Sequence, residues 1–518
     1  MNTKDLLLQM PLRADKWEED LLVRSFVNIG PLIPLLKGTN NQVLFGRRGT
    51  GKTHVLMYLK SIIEKEFSDC CIFIDLRKLG STGSIYSNDS LPIKQRVARL
   101  FTDILQEIRN QIIEYLTRDQ KLKEAYLSEI GPYLDNLLEL FGQKIIIGQA
   151  TRETHYQTEK DNNKTRIFTI SEAPSYSVTS TKGVSSITSE GTTEAGVYDD
   201  YLDFSAVHHT LQSILDILSP RRIWILFDEF AELNTDLQVY LSDMIRRVLC
   251  PLKNCIFKIG AIEHRSCFKK QVDFQNYMGL ELGSDVITYS LDDFMVFSNN
   301  HAQSLMFFRD LLYQHVNTML PSDEKYCDSD ALIKEIFTQE VAFEELVLAA
   351  EGVPRDAFNI ISKAILLNYN NKLSVNDIRR AAKNWYNEDK QNPIISYKNA
   401  MALLSWIIEK VINKRHARAF LLRNDKEFDL INFLYDSRIL HIIKHGISSW
   451  DYPGMKFNVY SIDYGCYVDL INTVRKPLGL FEEEKEDGTT EYCQVPKEDY
   501  RSIRKAILNM EEFTSYHR

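Results

Sequence analysis

The eight residues from Gly46 to Thr53, GRRGTGKT, constrain this chain more than any other stretch. A GxxxxGK[ST] run between an apolar strand and an amphipathic helix commits the backbone to a tight turn whose amides converge, followed at once by a helix. Both flanks are present. Gln42 to Phe45 is a short apolar run suited to a buried parallel strand. After the loop, Val55, Leu56, Leu59, Ile62, Ile63 and Phe67 recur at helical spacing.

That context predicts a polyphosphate cradle. Gly46, Gly49 and Gly51 let the backbone curl so that its amides face phosphate oxygens, and Arg47, Arg48 and Thr50 fill the remaining loop positions. Lys52 would reach the β and γ phosphates, and the Thr53 hydroxyl would join the shell of a Mg²⁺ ion. Such a site needs a carboxylate at the tip of a nearby strand. Ile223 to Glu229, IWILFDE, supplies Asp228 for the metal and Glu229 as a general base toward water. A second buried strand, Cys255 to Ile262, ends in Glu263, His264, Arg265 and Ser266. Arg265 is the preferred γ-phosphate sensor there, with His264 as rival. Arg246 and Arg247 are candidates for a finger offered to a neighbouring subunit, or a solvated helix face. In EGVPRDAFNIISKAI, Gly352 and Pro354 break the chain before an amphipathic helix and hold Arg355 near its start. A cation is unfavourable at that end, so an anionic partner is expected.

Taken in order, GRRGTGKT, IWILFDEF, the strand ending in EHRS, and GVPRDAF resemble an AAA+ P-loop ATPase. The likeness is greatest to the origin-recognition and cell-division-cycle initiator branch, and extends to the related STAND signalling ATPases. It covers roughly residues 20 to 80 and 205 to 390. The resemblance implies an α/β fold: a parallel sheet flanked by helices, a helical lid whose Arg355 contacts nucleotide, and a winged-helix-like domain beyond it. It also implies ATP and Mg²⁺ as cofactors and ATP hydrolysis as the reaction.

The expected domains are an ATPase core at 1–290, a lid at 291–390 and a C-terminal domain at 391–518. Lys52 and Asp228 are too far apart for a compact core, so an inserted helical and β arm is expected at about 85–205. Within it, Pro92 to Leu116 and Leu122 to Leu140 read as helices. Thr151 to Gly196 has no leucine and is rich in Ser and Thr, which suits an exposed hairpin or a partly disordered arm. Asn370 to Pro393 is polar and turn-rich and marks a boundary. Beyond it, Ala400 to Val411 and Glu427 to Ile443 read as helices, and Lys456 to Ile471 as a strand or hairpin.

A net charge of −9 argues against coating nucleic acid through bulk electrostatics. The densest basic patch, NKRHAR at Asn413 to Arg418, leaves DNA contact through the C-terminal domain open beside protein docking. Eight scattered cysteines form no metal-spaced set, and Cys466 reads as a packed residue. No stretch is apolar enough to cross a bilayer, so a cytoplasmic protein without membrane contact is expected. The reading is a regulatory or defence-type ATP switch that assembles with itself or a protein partner. The alternatives are a DNA-binding initiator-like or transposition-regulator ATPase, and an enzyme such as a nuclease that uses ATP as an accessory.

Overall fold

The computed structural model describes residues 2–79, 91–140, 144–155, 164–170, 177–182, 191–200, 203–274, 276–295, 301–414, 417–448, 454–472, 482–484, 490–492 and 507–516. Its centre is a five-stranded, all-parallel sheet made from β1 (Gln42–Phe45), β2 (Cys70–Asp75), β7 (Ile223–Asp228), β8 (Cys255–Ala261) and β11 (Ile287–Ser290), in the order β11-β1-β8-β7-β2. The strands are near-continuous apolar runs because both faces are covered. Side chains alternate between two cores: Trp224 and Leu226 face one, and Ile223, Ile225 and Phe227 the other.

On the first face lie α3 (Leu32–Leu36) and α4 (Lys52–Ile62), with α2 (Glu19–Arg24) against α4 and α1 (Thr3–Gln9) farther out. The second face is covered by α5 (Ile93–Thr117), α6 (Gln120–Leu140), α7 (Phe204–Leu218) and α8 (Thr235–Met244). The two helices of the expected insertion pack on this face: Leu100, Phe101, Ile104, Leu105 and Ile108 of α5 are buried in the same cluster as the sheet's side chains. The β part of the insertion is a four-stranded antiparallel sheet of β3 (Lys144–His155), β4 (Lys164–Ile170), β5 (Ser177–Lys182) and β6 (Gly191–Asp200), ordered β5-β4-β3-β6. Much of the Thr151 to Gly196 stretch between those strands lies outside the described residues.

The first residues pack with the lid rather than the core. α1 sits against the lid, and the Lys4 ammonium donates to the carbonyls of Asn368 (3.2 Å), Tyr369 (2.7 Å) and Asn371, capping a lid helix. After β8, a short hairpin of β9 (Lys269–Gln271) and β10 (Tyr277–Gly279) precedes β11. α9 (Leu291–Met295) then leads to the lid: α10 (His301–Met319), α11 (Ser329–Ile336), α12 (Glu340–Ala350), α13 (Pro354–Leu367) and α14 (Val375–Trp385). α14 fills the stretch expected as a boundary. A capping box of Ser374 and Asp377 starts it, and Ile378, Ala381, Ala382 and Trp385 bury one face, so its polar residues are its outer face.

The C-terminal unit has α15 (Lys398–Ile407), β12 (Ala419–Arg423), α16 (Asp429–Asp436), β13 (Leu440–Ser448), β14 (Lys456–Ile462) and α17 (Tyr464–Asn472), with the sheet ordered β12-β14-β13. Two sequence expectations need correction. Leu440 to Ile443 is strand, not the end of a helix, because its main chain pairs with β14. The chain from Tyr464 turns helical at Asp463, whose Oδ1 accepts from the Gly465 amide at 3.0 Å. Between the first two strands of this unit there is a single helix, α16.

Candidate nucleotide site

The glycine loop leaves the C-terminal end of β1, and Asp228 stands at the same end of β7, one strand beyond β8. Ligands of open α/β sheets bind at that end. Gly49 (φ +90°) and Gly51 (φ +97°) occupy the left-handed region that side chains resist. A Cβ at Gly49 would also meet Arg355 Cβ at 2.7 Å, and the Arg355 amide donates to the Gly49 carbonyl at 3.3 Å. The lid is thus seated directly on the loop.

Lys52 opens α4. Its ammonium donates to the carbonyls of Gly46 (2.7 Å) and Arg47 (3.1 Å), folded into the loop that would hold phosphate. Desolvation lowers its pKa most, opposed by Glu229, Asp228 and Asp292. The Thr53 hydroxyl donates to Asp228 Oδ2 at 2.6 Å, so the two expected metal-site groups are in contact. Burial pushes the Asp228 carboxyl up to about 6, and its Oδ1 is buried with no hydrogen-bond partner. Arg355 Nε is likewise buried without one. Natural structures rarely leave such atoms unpaired. An orphan cationic donor on one side of the glycine loop and an orphan carboxylate oxygen on the other fit a bound anion and its metal, so these residues suit a Mg²⁺ nucleotide. Thr53 and Asp228 would hold the metal, and Lys52, Arg355 and the loop amides the phosphates.

Glu229 follows with φ 57° and ψ 40°, left-handed backbone that costs a non-glycine residue about 1–3 kcal/mol and is found mostly at functional sites. Its carboxylate lies 3.5 Å from Arg77 Nη1, and Arg77 is itself gripped by Asp75 through Nε (3.0 Å) and Nη2 (2.8 Å). Arg77 was missed in the sequence. The usable signal was a charged pair, Asp75 and Arg77, at the end of an apolar strand.

One cavity of about 380 Å³ joins most of these groups, with Asp228 outside its lining. One end is lined by Arg48 to Thr53 with Arg77, Glu229 and Arg355. Its other end is apolar, with Trp17 and Phe26 from the N-terminal segment and Phe307, His315 and Phe358 from the lid. This second wall also escaped sequence reading.

Three expected site residues are placed differently. Arg47 contributes backbone to the loop, but its side chain is fully buried away from the cavity. Its Nε donates to Asp292 Oδ1 at 2.6 Å and its amide to Asp292 Oδ2 at 2.9 Å, while Nη1 donates to His441 Nδ1 at 2.8 Å. Desolvation opposes its charge most, and Asp292 more than restores it. Arg48 is exposed and paired with Glu232 at 2.5 Å. Arg265 does not line the cavity. It and His264 turn toward Asp436 of α16, at 3.6 and 3.3 Å, because that buried carboxylate is the nearest anion the C-terminal unit offers. Arg246 and Arg247 are engaged with Asp243, and Arg246 also covers the Tyr277 ring at 4.7 Å. Arg418, from the basic patch, is half-buried and its charge is favoured by Tyr467 and Glu351, and Arg415 and His416 lie outside the described residues. Cys466 is a half-buried thiol whose pKa desolvation raises.

The Arg47 contact continues inward. Because Arg47 only donates, His441 Nδ1 accepts and its Nε2–H donates to Asp463 Oδ2 at 3.2 Å. Asp463 and the lid's Asp356 share Lys390, at 2.5 and 2.9 Å, and Asp356 also binds Arg438. A buried chain of charges thus runs from the glycine loop through the C-terminal unit to the residue beside Arg355. Burial pushes His441 and His54 down to about 4, and His315 to about 3. The unfolded chain takes up these protons near pH 6.5 and the folded chain only near 4 or below, so their contribution is whole above pH 6.5 and is lost as pH falls through about 4. Urea midpoints should fall between pH 7 and 4.5, and less so in His441→Asn; identical pH slopes for the two proteins would refute this.

A parallel sheet with a glycine loop on one strand, a DE pair at the tip of another and a lid arginine returned to the loop are the parts of an α/β P-loop core. No family model matches the sequence, and no curated protein matches it. Among solved structures the chain is similar to the Orc1 protein of Aeropyrum pernix in complex with DNA (10% identity, TM-score 0.30, covering 90% of this chain and 96% of that one). It is also similar to Cdc6p of Pyrobaculum aerophilum (12% identity, TM-score 0.29, covering 90% and 97%).

Proposed function

We propose that the chain binds ATP with Mg²⁺, hydrolyses it to ADP and phosphate, and uses its nucleotide state to control assembly and engagement of a partner. The two orphaned atoms flanking the loop, Arg355 Nε and Asp228 Oδ1, carry this reading. A bound Mg²⁺ would supply charge neutralisation across the phosphates. Lys52 and Arg355 would hold the phosphate oxygens, Thr53 and Asp228 would fix the metal's place, and Glu229 would take a proton from water. The apolar wall of Trp17, Phe26 and Phe358 would exclude solvent from the base.

The switch follows from what touches the loop. The Gly49 carbonyl receives the lid and the Arg47 side chain receives the C-terminal unit, so a change in loop geometry reaches both. Assembly with further copies or a protein partner is the regulatory or defence-type reading, in a cytoplasmic setting. Among the described residues no helix is long and apolar enough to cross a membrane. Arg355→Ala should raise the dissociation constant for MgATP about 10- to 100-fold by removing a charge-assisted contact. An unchanged constant would place the phosphates elsewhere.

A second reading, an initiator-like or transposition-regulator ATPase that binds DNA, is favoured by the C-terminal sheet. Its β13–β14 hairpin carries Lys444, His445 and Lys456 at exposed positions. Salt-dependent binding of duplex DNA by the full chain, weakened by charge reversal at Lys456, would support it. The net charge of −9 and the inward turn of Arg418 weigh the other way.

A further inference from the structure

Two histidines line the apolar end of the cavity, one on the helix that follows the glycine loop and one on the lid. Their ring centres are 5.8 Å apart and the planes meet at 83°. Each already spends one nitrogen. His54 Nε2 lies 2.7 Å from the Leu22 carbonyl, and His315 Nδ1 lies 2.9 Å from the Leu311 carbonyl. A carbonyl oxygen only accepts, so those nitrogens carry the protons. The remaining nitrogens, His54 Nδ1 and His315 Nε2, are therefore bare acceptors, and neither has a hydrogen-bond partner among the described residues.

The surroundings fix these tautomers. Trp17 meets His315 edge-on at 5.5 Å, Phe358 lies against it at 5.1 Å, and Phe26 meets His54 at 5.3 Å while stacking on Tyr58 at 3.9 Å. Rings packed on this many sides do not turn over freely, and an aromatic enclosure disfavours a second proton on either one. The aromatic end of the cavity thus presents two acceptors and no histidine donor left to give, so a group that fits must bring hydrogens of its own.

Resting on the nucleotide reading above, we propose that the base is recognised through its exocyclic amino group, which donates to His54 Nδ1 and His315 Nε2. The site then selects a 6-aminopurine and rejects a 6-oxopurine, whose carbonyl would set a lone pair against two others. His54 and His315 are specificity residues for the same site in which Lys52 and Arg355 hold the phosphates.

Ligand substitution on the unaltered full chain tests this without risk to folding. Calorimetric titrations would use the Mg²⁺ complexes of ATP, GTP, purine riboside triphosphate, which lacks the amino group, and N6,N6-dimethyl-ATP, which keeps the nitrogen but has no hydrogen to donate. ATP should bind tightest, with the other three weaker by about 10- to 100-fold, the cost of leaving buried acceptors unpaired. In His54→Phe and His315→Phe, which keep a ring, the gap between ATP and GTP should narrow, mainly through weaker ATP binding. Equal affinity of the four ligands for the wild type overturns the amino-group readout and leaves the phosphate site standing, as would an undiminished ATP preference in both folded variants. Failure of all four to bind overturns the nucleotide reading itself.

Discussion

Glu229→Gln should bind MgATP as tightly as the wild type while releasing phosphate about 10²- to 10⁴-fold more slowly, the usual worth of a positioned general base. The amide matches the carboxylate in shape and cannot take a proton. Everything assigned to binding stays in place: the Lys52 ammonium over the loop, the Thr53 hydroxyl on Asp228, and Arg355 on Gly49. The left-handed backbone at Glu229 sharpens the case. Glycine would fit that conformation at less cost, so Glu229→Gly should raise thermal stability while also stopping hydrolysis. Phosphate release and nucleotide affinity measured on the same preparations check both. Hydrolysis surviving in Glu229→Gln within a few-fold would remove Glu229 from the chemistry.

Lys390→Ala should cost about 3 to 5 kcal/mol of folding stability, the range for breaking a buried ion network by removing one partner. Lys390 is 1% exposed and lies between Asp463 at 2.5 Å and Asp356 at 2.9 Å. Without it, the two buried carboxylates keep His441 and Arg438 as their side-chain ion partners among the described residues. A flexible surface pair would cost less than about 1 kcal/mol, so urea unfolding of the variant separates the two cases. A loss below that figure would mean the C-terminal unit is not locked to the lid through this lysine. In Lys390→Ala combined with Asp463→Asn the loss should be smaller than in Lys390→Ala alone, because one stranded charge has gone.

The parts of the site legible in the sequence are those whose chemistry is local. GRRGTGKT, IWILFDE and GVPR each carry their function within one turn or one strand end, where glycine conformations, strand burial and helix starts dictate residue type. Arg77 and the Trp17–Phe26 wall escaped because their role depends on which strand and which segment lie beside the loop, and short aromatic stretches carry no period that says so. Arg47 and Arg265 have their side chains placed elsewhere than expected for the same reason. A basic residue near a phosphate loop looks alike whether it faces phosphate or, as here, Asp292 and Asp436, each far along the chain from its partner. Three of the five core strands, β1, β7 and β8, were legible from apolar runs, whereas β2, β11 and Leu440 to Ser448 were not. In that last stretch the apolar and polar residues suit a helix or a strand, and pairing with β14, including its register shifts, decides between them.

Equilibrium dialysis of labelled ATP with Mg²⁺ against the wild type and Lys52→Ala tests most directly whether this loop is a nucleotide site. Saturable binding of one ATP per chain, lost by at least about tenfold in Lys52→Ala, is the expected result, since the variant removes the buried cation that meets the phosphates. No binding to the wild type, or equal binding to both proteins, would contradict it.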